Sequence, residues 1–142
     1  NINDLSDYLG KQGWQHITPK AWQDVWKALR SDKKSEDFAI IPTTNNGKIE
    51  SVIFSKQIND KLVALHLWQQ PLKIESNSYP VYAGFVSKHR IKQKWGMMFW
   101  KSFNNKIENK HAQELFLKTM QNSHKFLIQN NQGQYFIQRI EK

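Results

Sequence analysis

Two apolar segments decide the fold of this chain: Lys-Leu-Val-Ala-Leu-His-Leu-Trp at residues 61–68 and Tyr-Pro-Val-Tyr-Ala-Gly-Phe-Val-Ser at residues 79–87. Short, nearly continuous apolar runs that end at turn-forming residues predict strands in the buried centre of a sheet. Gly84 lies inside the second run, where a glycine often marks a bulge or the close approach of another group to the backbone. Neither run carries a carboxylate, so the pair indicates a fold and not a chemistry.

Shorter strand-like segments surround this pair. Asn-rich turns at residues 45–48 and 130–133 predict tight hairpins. Lys88-His89-Arg90 interrupts the apolar pattern and is interpreted as a charged break, and residues 102–110 as a polar loop. The remaining strand candidates are residues 38–41, 49–55, 95–100, 126–128 and 135–140.

Three amphipathic helices complete the pattern. The first carries Leu5, Tyr8 and Leu9 on one face, the second follows Thr18-Pro19 and ends near Arg30, and the third covers residues 111–121. Short turns between neighbouring strands favour antiparallel pairing. We therefore predict an α+β fold, in which two N-terminal helices and one C-terminal helix pack on a mainly antiparallel sheet of about six to seven strands.

Length and composition restrict the class of protein. The 142 residues fit one domain spanning residues 1–142, and 39% apolar residues with 13% aromatics suffice for a core. The absence of cysteine excludes disulfides, a thiol nucleophile and any cysteine-containing zinc site. The chain begins with Asn, and no run of about 18 apolar residues is present, so we expect a fragment whose parent carries any membrane span elsewhere.

The titratable residues offer no local catalytic or metal-binding motif. None of the five histidines has a neighbouring ligand at the usual spacing, so no metal and no cofactor are expected. The carboxylates fall mainly in polar segments, and no Gly-x-Ser-x-Gly, P-loop or lipid-phosphatase motif occurs. We therefore expect no catalysis in this fragment, although an enzyme assembled from scattered residues such as His66 and Arg90 remains an alternative.

One histidine and one basic segment are the candidate binding residues. His66 lies inside the first apolar strand, either hydrogen-bonded to a neighbour or lining a small pocket with Trp68, Tyr82 and Gly84. The formal net charge of +9 favours anionic partners. Basic residues beside tryptophan suit a membrane interface, and they also suit single-stranded nucleic acid. The candidate residues for anion or lipid binding are Lys88, His89, Arg90, Lys92, Lys94 and Trp95.

Several of these segments together resemble the LssY-type C-terminal domain family of bacteria. The resemblance rests on Gly13-Trp14 after the first helix, on Leu65-His66-Leu67-Trp68, and on the run from Pro80 to Ser87. Members commonly place Arg just before Leu-Trp, whereas this chain has His66. An imidazole could replace a guanidinium in anion binding only when it is protonated.

The resemblance implies a membrane context. Such domains often follow a PAP2-type lipid-phosphate phosphatase unit, sometimes with a DedA-like membrane unit, and their own function is not established. By that analogy we expect a non-catalytic accessory domain at the cytoplasmic face of the bacterial inner membrane. Its partners would be anionic lipid or the rest of the parent protein. The alternatives are a soluble module that binds an anionic ligand or nucleic acid, the latter less favoured, and an enzyme acting on a small phosphorylated substrate.

Overall fold

The computed structural model describes residues 2–18, 39–40, 43–45, 47–71, 79–95, 97–102, 106–121 and 123–140. These ranges contain two helices, α1 (Ile2–Lys11) and α2 (Lys106–Met120). The predicted second helix, from Thr18-Pro19 to about Arg30, lies almost wholly outside them. The strands in the same ranges are β1 (Gln15–Ile17), β2 (Ala39–Ile40), β3 (Thr44–Asn45), β4 (Lys48–Ile49), β5 (Val52–Ile58), β6 (Lys61–Gln69), β7 (Tyr82–Lys94), β8 (Met97–Ser102), β9 (Phe126–Asn131) and β10 (Gln134–Arg139).

In the described part of the chain, eight strands form one sheet. Six follow the order β1-β5-β6-β7-β10-β9, while β8 pairs with β7 and β2 pairs with β8. Antiparallel pairing joins seven of these strands, and β2 alone adds to β8 in parallel. The predicted α+β class and the mainly antiparallel sheet are therefore confirmed. The strands β3 and β4 form a separate small hairpin.

Strand β7 organises the sheet because it has a long partner on one edge and two shorter partners on the other. On one edge it pairs with β6 from Tyr82 to Arg90. On the other edge β10 pairs with its first four residues, and β8 pairs with residues 89–94. Between these two partners, the side chain of Asn109 in α2 accepts a hydrogen bond of 3.2 Å from the backbone N–H of Lys88. A polar side chain thus occupies the gap in the ladder.

Both helices that the structure describes pack on the same face of the sheet. Alternate residues of the strands point to this face, as the period of two in a strand requires. Together they form the larger core, whose fully buried members include Leu9, Phe54, Leu65, Phe116 and Tyr135. The opposite face carries a smaller apolar cluster of Ile40, Ile53, Leu62, Ala64 and Trp100.

Two local predictions were wrong. Lys88-His89-Arg90 does not break a strand, because β7 continues through it to Lys94 and forms a hairpin with β8. Helix α2 begins at Lys106, inside the segment predicted as loop. Its N-terminal turns contain Ile107, which is 66% exposed, and Lys110, which is also exposed, so the first part of the helix buries little apolar surface that periodicity could detect. Neither described helix has the length and apolar character that crossing a bilayer requires.

Candidate functional site

Four polar side chains are buried together on the sheet face opposite the helices. Glu50, Ser87 and His89 are each 2–3% exposed, and His66 is fully buried. Buried polar groups are costly unless they are hydrogen-bonded, and a cluster of four such groups at the middle of a sheet is uncommon. We call these four residues the buried polar cluster.

The strand register brings the cluster together. His66 lies opposite Phe85, and Ser87 lies opposite Ala64, so Ser87 is a diagonal neighbour of His66 across the β6–β7 pair. His89 follows Ser87 by two residues along β7, and residues two apart in a strand share a face. Glu50 lies two residues before the start of β5, which is the other strand that pairs with β6.

Three atoms of the buried polar cluster lie within hydrogen-bond distance of one another. The Nε2 atom of His66 is 3.0 Å from the Ser87 Oγ and 3.3 Å from the His89 Nε2. The Ser87 Oγ is 2.8 Å from the same nitrogen of His89. The imidazole nitrogens and the hydroxyl therefore converge on one point between β6 and β7.

The Glu50 carboxylate fixes the other side of the His66 ring. Its Oε1 lies 3.4 Å from the His66 Nδ1. The carboxylate also accepts the backbone N–H of Thr43 at distances of 2.8 and 3.1 Å to its two oxygens. The ring itself stacks on Phe85 with a centroid separation of 5.0 Å. With Nδ1–H directed at Glu50, the Nε2 of a neutral His66 presents a lone pair to Ser87 and His89.

His89 is held neutral by its surroundings. Burial, and in second place the nearby His66, lowers the pKa of His89 from 6.5 to about 3. Its Nδ1 is buried and has no hydrogen-bond partner among the residues that the structure describes. The Ser87 hydroxyl, 2.8 Å from the Nε2, is the described group that can set the tautomer of this ring, by accepting from an Nε2–H or by donating to an unprotonated Nε2.

The predicted basic segment lies at the far end of β7. Arg90 and Lys92 are exposed, and Lys94 closes the strand. Trp95 is 81% exposed in the turn to β8, with a φ of 52°. His89, which was predicted to belong to the same surface, points into the protein because side chains alternate along a strand.

Lys88 occupies a different environment from the exposed cations. It is half-buried and lines a cavity of about 350 Å³ beside Lys61 and His111. Strand alternation places Lys88 and Arg90 on the helix side of the sheet, opposite His66. The structure therefore does not bring His66, Lys88 and Arg90 into one pocket, as an enzyme assembled from them would require.

The family model described as LssY C-terminus matches residues 1–125. The chain belongs to the LssY C-terminus family. No curated protein and no solved structure matches it. The match covers α1, α2 and strands β1 to β8, and it ends just before the terminal β9–β10 hairpin.

In this LssY C-terminus domain, the predicted pocket residues lie on two sides of the sheet. His66 shares the face of the buried polar cluster with Trp68, whose Nε1–H donates to the carbonyl oxygen of Lys48 at 3.0 Å. Tyr82 packs against the larger core on the helix side of the sheet. Gly84 is two residues further along β7 and therefore faces the same side. The structure therefore separates these four residues into two pairs.

Sequence reasoning singled out His66 but missed Glu50 and Ser87 as its partners. Glu50 was given no role of its own among the carboxylates, yet it is buried in the LssY C-terminus domain. One signal was available in the sequence. Ser87 and His89 are polar residues two apart in a strand, in the same alternation as the apolar Phe85 and Ile91, and that spacing puts both on one face.

The order Ser87, His66, Glu50 corresponds to the nucleophile, base and orienting group of a hydrolytic triad. Access argues against that role in the LssY C-terminus domain. The Ser87 side chain is almost completely buried, so no substrate carbonyl can reach its hydroxyl in this structure. The arrangement is better suited to hold a proton or a small ion.

Proposed function

We propose that this domain is a non-catalytic accessory domain of a bacterial inner-membrane protein, and that it contacts anionic lipid on the cytoplasmic face. The contact surface is the β7–β8 hairpin, defined as residues 90–95 and 97–101 and called the basic hairpin below. The observation that supports this proposal is the position of Trp95, which is 81% exposed at the tip of the hairpin between exposed cationic residues.

The basic hairpin extends beyond the body of the sheet. The pairing of β7 with β6 ends at the Arg90–Lys61 pair, and residues 91–94 pair only with β8 among the described strands. A hairpin that extends past its neighbours can approach a flat surface without steric interference from the rest of the sheet. Its tip residue then meets that surface first.

The residues on the basic hairpin suit the headgroup region of a bilayer. Tryptophan is enriched at membrane–water interfaces, where its ring is partly apolar and its N–H is hydrated. Arg90, Lys92 and Lys101 are exposed on the two strands behind Trp95. Each basic side chain near an anionic surface contributes about 1 kcal/mol to binding, and the overall charge of +9 adds a long-range attraction.

The family context supports the choice of lipid as the anionic partner. Domains of this type are expected beside PAP2-type lipid-phosphate phosphatase units in membrane proteins, so the domain would lie close to a bilayer. Membership of the family therefore makes lipid the first partner to test. Binding of single-stranded nucleic acid, which the same residues could support, becomes an outcome of that test.

Removing the cationic residues of the basic hairpin is expected to abolish most vesicle binding. The variant Arg90→Gln/Lys92→Gln/Lys101→Gln should bind anionic vesicles about 100-fold more weakly, because three contributions of about 1 kcal/mol are lost. Trp95→Ala should weaken binding by about tenfold or more, since an interfacial aromatic ring is removed. Co-sedimentation with phosphatidylglycerol-containing and with neutral vesicles, at low and high salt, measures both effects.

A matched variant controls for net charge. The exposed residues Lys11, Lys118 and Lys125 lie away from the basic hairpin, and their replacement by Gln removes the same three charges. This control should retain most of the binding. Equal losses in both triple variants would contradict a hairpin-specific contact. Binding of an oligonucleotide but not of anionic vesicles would replace the lipid proposal with a nucleic-acid one.

A further inference from the structure

We propose that the His66 Nε2, the His89 Nε2 and the Ser87 Oγ form a binding site for one divalent first-row transition-metal ion, with Zn²⁺ as the reference ion. The site is separate from the basic hairpin, and the proposal does not depend on the membrane contact. It uses the three convergent atoms of the buried polar cluster as the ligands and Glu50 as the group that orients one of them.

The separations between these atoms fit a single ion. Two imidazole nitrogens bound to a tetrahedral Zn²⁺ at about 2.0–2.1 Å lie about 3.3 Å from each other. The two Nε2 atoms are 3.3 Å apart in the structure. The Ser87 Oγ, at 2.8 and 3.0 Å from them, completes a triangle of potential ligand atoms. The ligands therefore need little rearrangement to bind.

Glu50 supplies the outer partner that histidine ligands usually have. A metal-bound imidazole typically donates its other N–H to a carboxylate or carbonyl, which fixes the tautomer and raises the basicity of the ligand. The Glu50 Oε1 stands 3.4 Å from the His66 Nδ1, and the backbone N–H of Thr43 holds the carboxylate in place. Its negative charge also offsets part of the charge of a buried cation.

Only two of the three contacts among these atoms can contain a hydrogen. With the Nδ1–H of His66 directed at Glu50, its Nε2 can only accept. Ser87 can donate to His66, and the Nε2–H of His89 can donate to Ser87, so the contact between the two Nε2 atoms contains no further hydrogen. When the His89 proton moves from Nε2 to Nδ1, a cation at the centre meets a lone pair on each of the three atoms. The neutral form of His89, favoured by its lowered pKa, is the form that binds metals.

The donor set also limits the class of metal. Imidazole suits Zn²⁺, Cu²⁺, Ni²⁺ and Co²⁺, whereas the chain has no thiolate for softer ions. Within the described ranges, no group of three or more His, Cys, Asp and Glu side chains gathers as a ligand set. The proposed site is built from two imidazoles and a hydroxyl, which is fewer protein ligands than a closed structural zinc site has. We expect one ion per chain, held less tightly than in a closed site with four protein ligands.

The two proposed histidine ligands, His66 and His89, can be tested for metal binding without mutating either of them. The variant His16→Gln/His111→Gln/His124→Gln removes the three exposed histidines and leaves His66 and His89 as the only two in the chain. This variant should bind one equivalent of Zn²⁺ in calorimetry, and Co²⁺ should produce a visible spectrum typical of nitrogen ligands. In ¹⁵N spectra of histidine-labelled protein, the Nε2 signals of both rings should shift on addition of Zn²⁺.

Variants of the site define its chemistry further. Glu50→Gln should weaken Zn²⁺ binding about 10- to 100-fold while the stoichiometry remains one, as expected for loss of an outer-shell partner. His89→Gln should abolish binding. Failure of the triple-histidine variant to bind Zn²⁺, or binding that leaves both Nε2 signals unshifted, would overturn the assignment. The measurement on that variant stands even if the buried variants do not fold.

Discussion

Gly84→Ala is expected to destabilise the domain by at least about 3 kcal/mol, which is beyond the usual cost of overpacking because the obstacle is backbone. A Cβ at this position would lie far inside van der Waals contact of the His66 carbonyl oxygen, and 2.8 Å from the Leu67 Cδ2. Leu67 is the direct partner of Gly84 across the β6–β7 pair. The two central strands would have to separate to admit one methyl group.

The chain provides a matched glycine for comparison. Gly10 lies in α1, and an added Cβ there would meet no atom within 4 Å. Gly10→Ala should be neutral or stabilising by about 0.5–1 kcal/mol, because alanine has the higher helix propensity. Urea unfolding of both variants measures the difference. A Gly84→Ala domain as stable as the Gly10→Ala domain would show that β6 and β7 can shift freely.

Acidification is expected to destabilise the metal-free domain well before its carboxylates are protonated. The pKa of His89 is about 3 in the folded domain and 6.5 when the ring is free in water. The unfolded chain therefore binds more protons between these values, and stability falls as the pH falls through this window. The slope from this one group is about 1.4 kcal/mol per pH unit, so lowering the pH from 7 to 5 costs about 2 kcal/mol.

Denaturant titrations at several pH values, with a chelator present, measure this slope. His89→Gln should lower the pH dependence between 6.5 and 5, whatever its effect on stability at neutral pH. His124→Gln changes an exposed histidine and should retain the slope of the original domain. An unchanged slope in His89→Gln would mean that another group causes the acid sensitivity.

The parts of the fold that were predictable are those in which each strand carries its own signal. Strand β6 is a continuous apolar run between two turns, and the β9–β10 hairpin surrounds a Gly-containing turn, so both were predicted close to their observed bounds. The length of β7 was not predictable in the same way. Its last residues belong to an exposed hairpin, where charged side chains replace the apolar pattern.

The buried polar cluster depends on register, which local sequence does not specify. His66 attracted notice because a polar residue inside an apolar strand requires a partner. That the partners are Ser87, His89 and Glu50 follows only from the alignment of β6 against β7 and from the backbone N–H of Thr43 holding Glu50. A shift of one residue in this pairing would turn every side chain of one strand to the other face.

The position of β10 has a consequence for how the domain assembles during synthesis. The ribosome releases the N-terminal part of the chain first. By the time β8 has emerged, β6, β7 and β8 can pair, but the first four residues of β7 still lack the partner that only the last strand provides. Tyr135 and Ile137, which complete the larger core, arrive with that strand. Until then the nascent sheet exposes an unpaired backbone edge and an unfilled apolar surface, so β10 is the strand that closes the described fold.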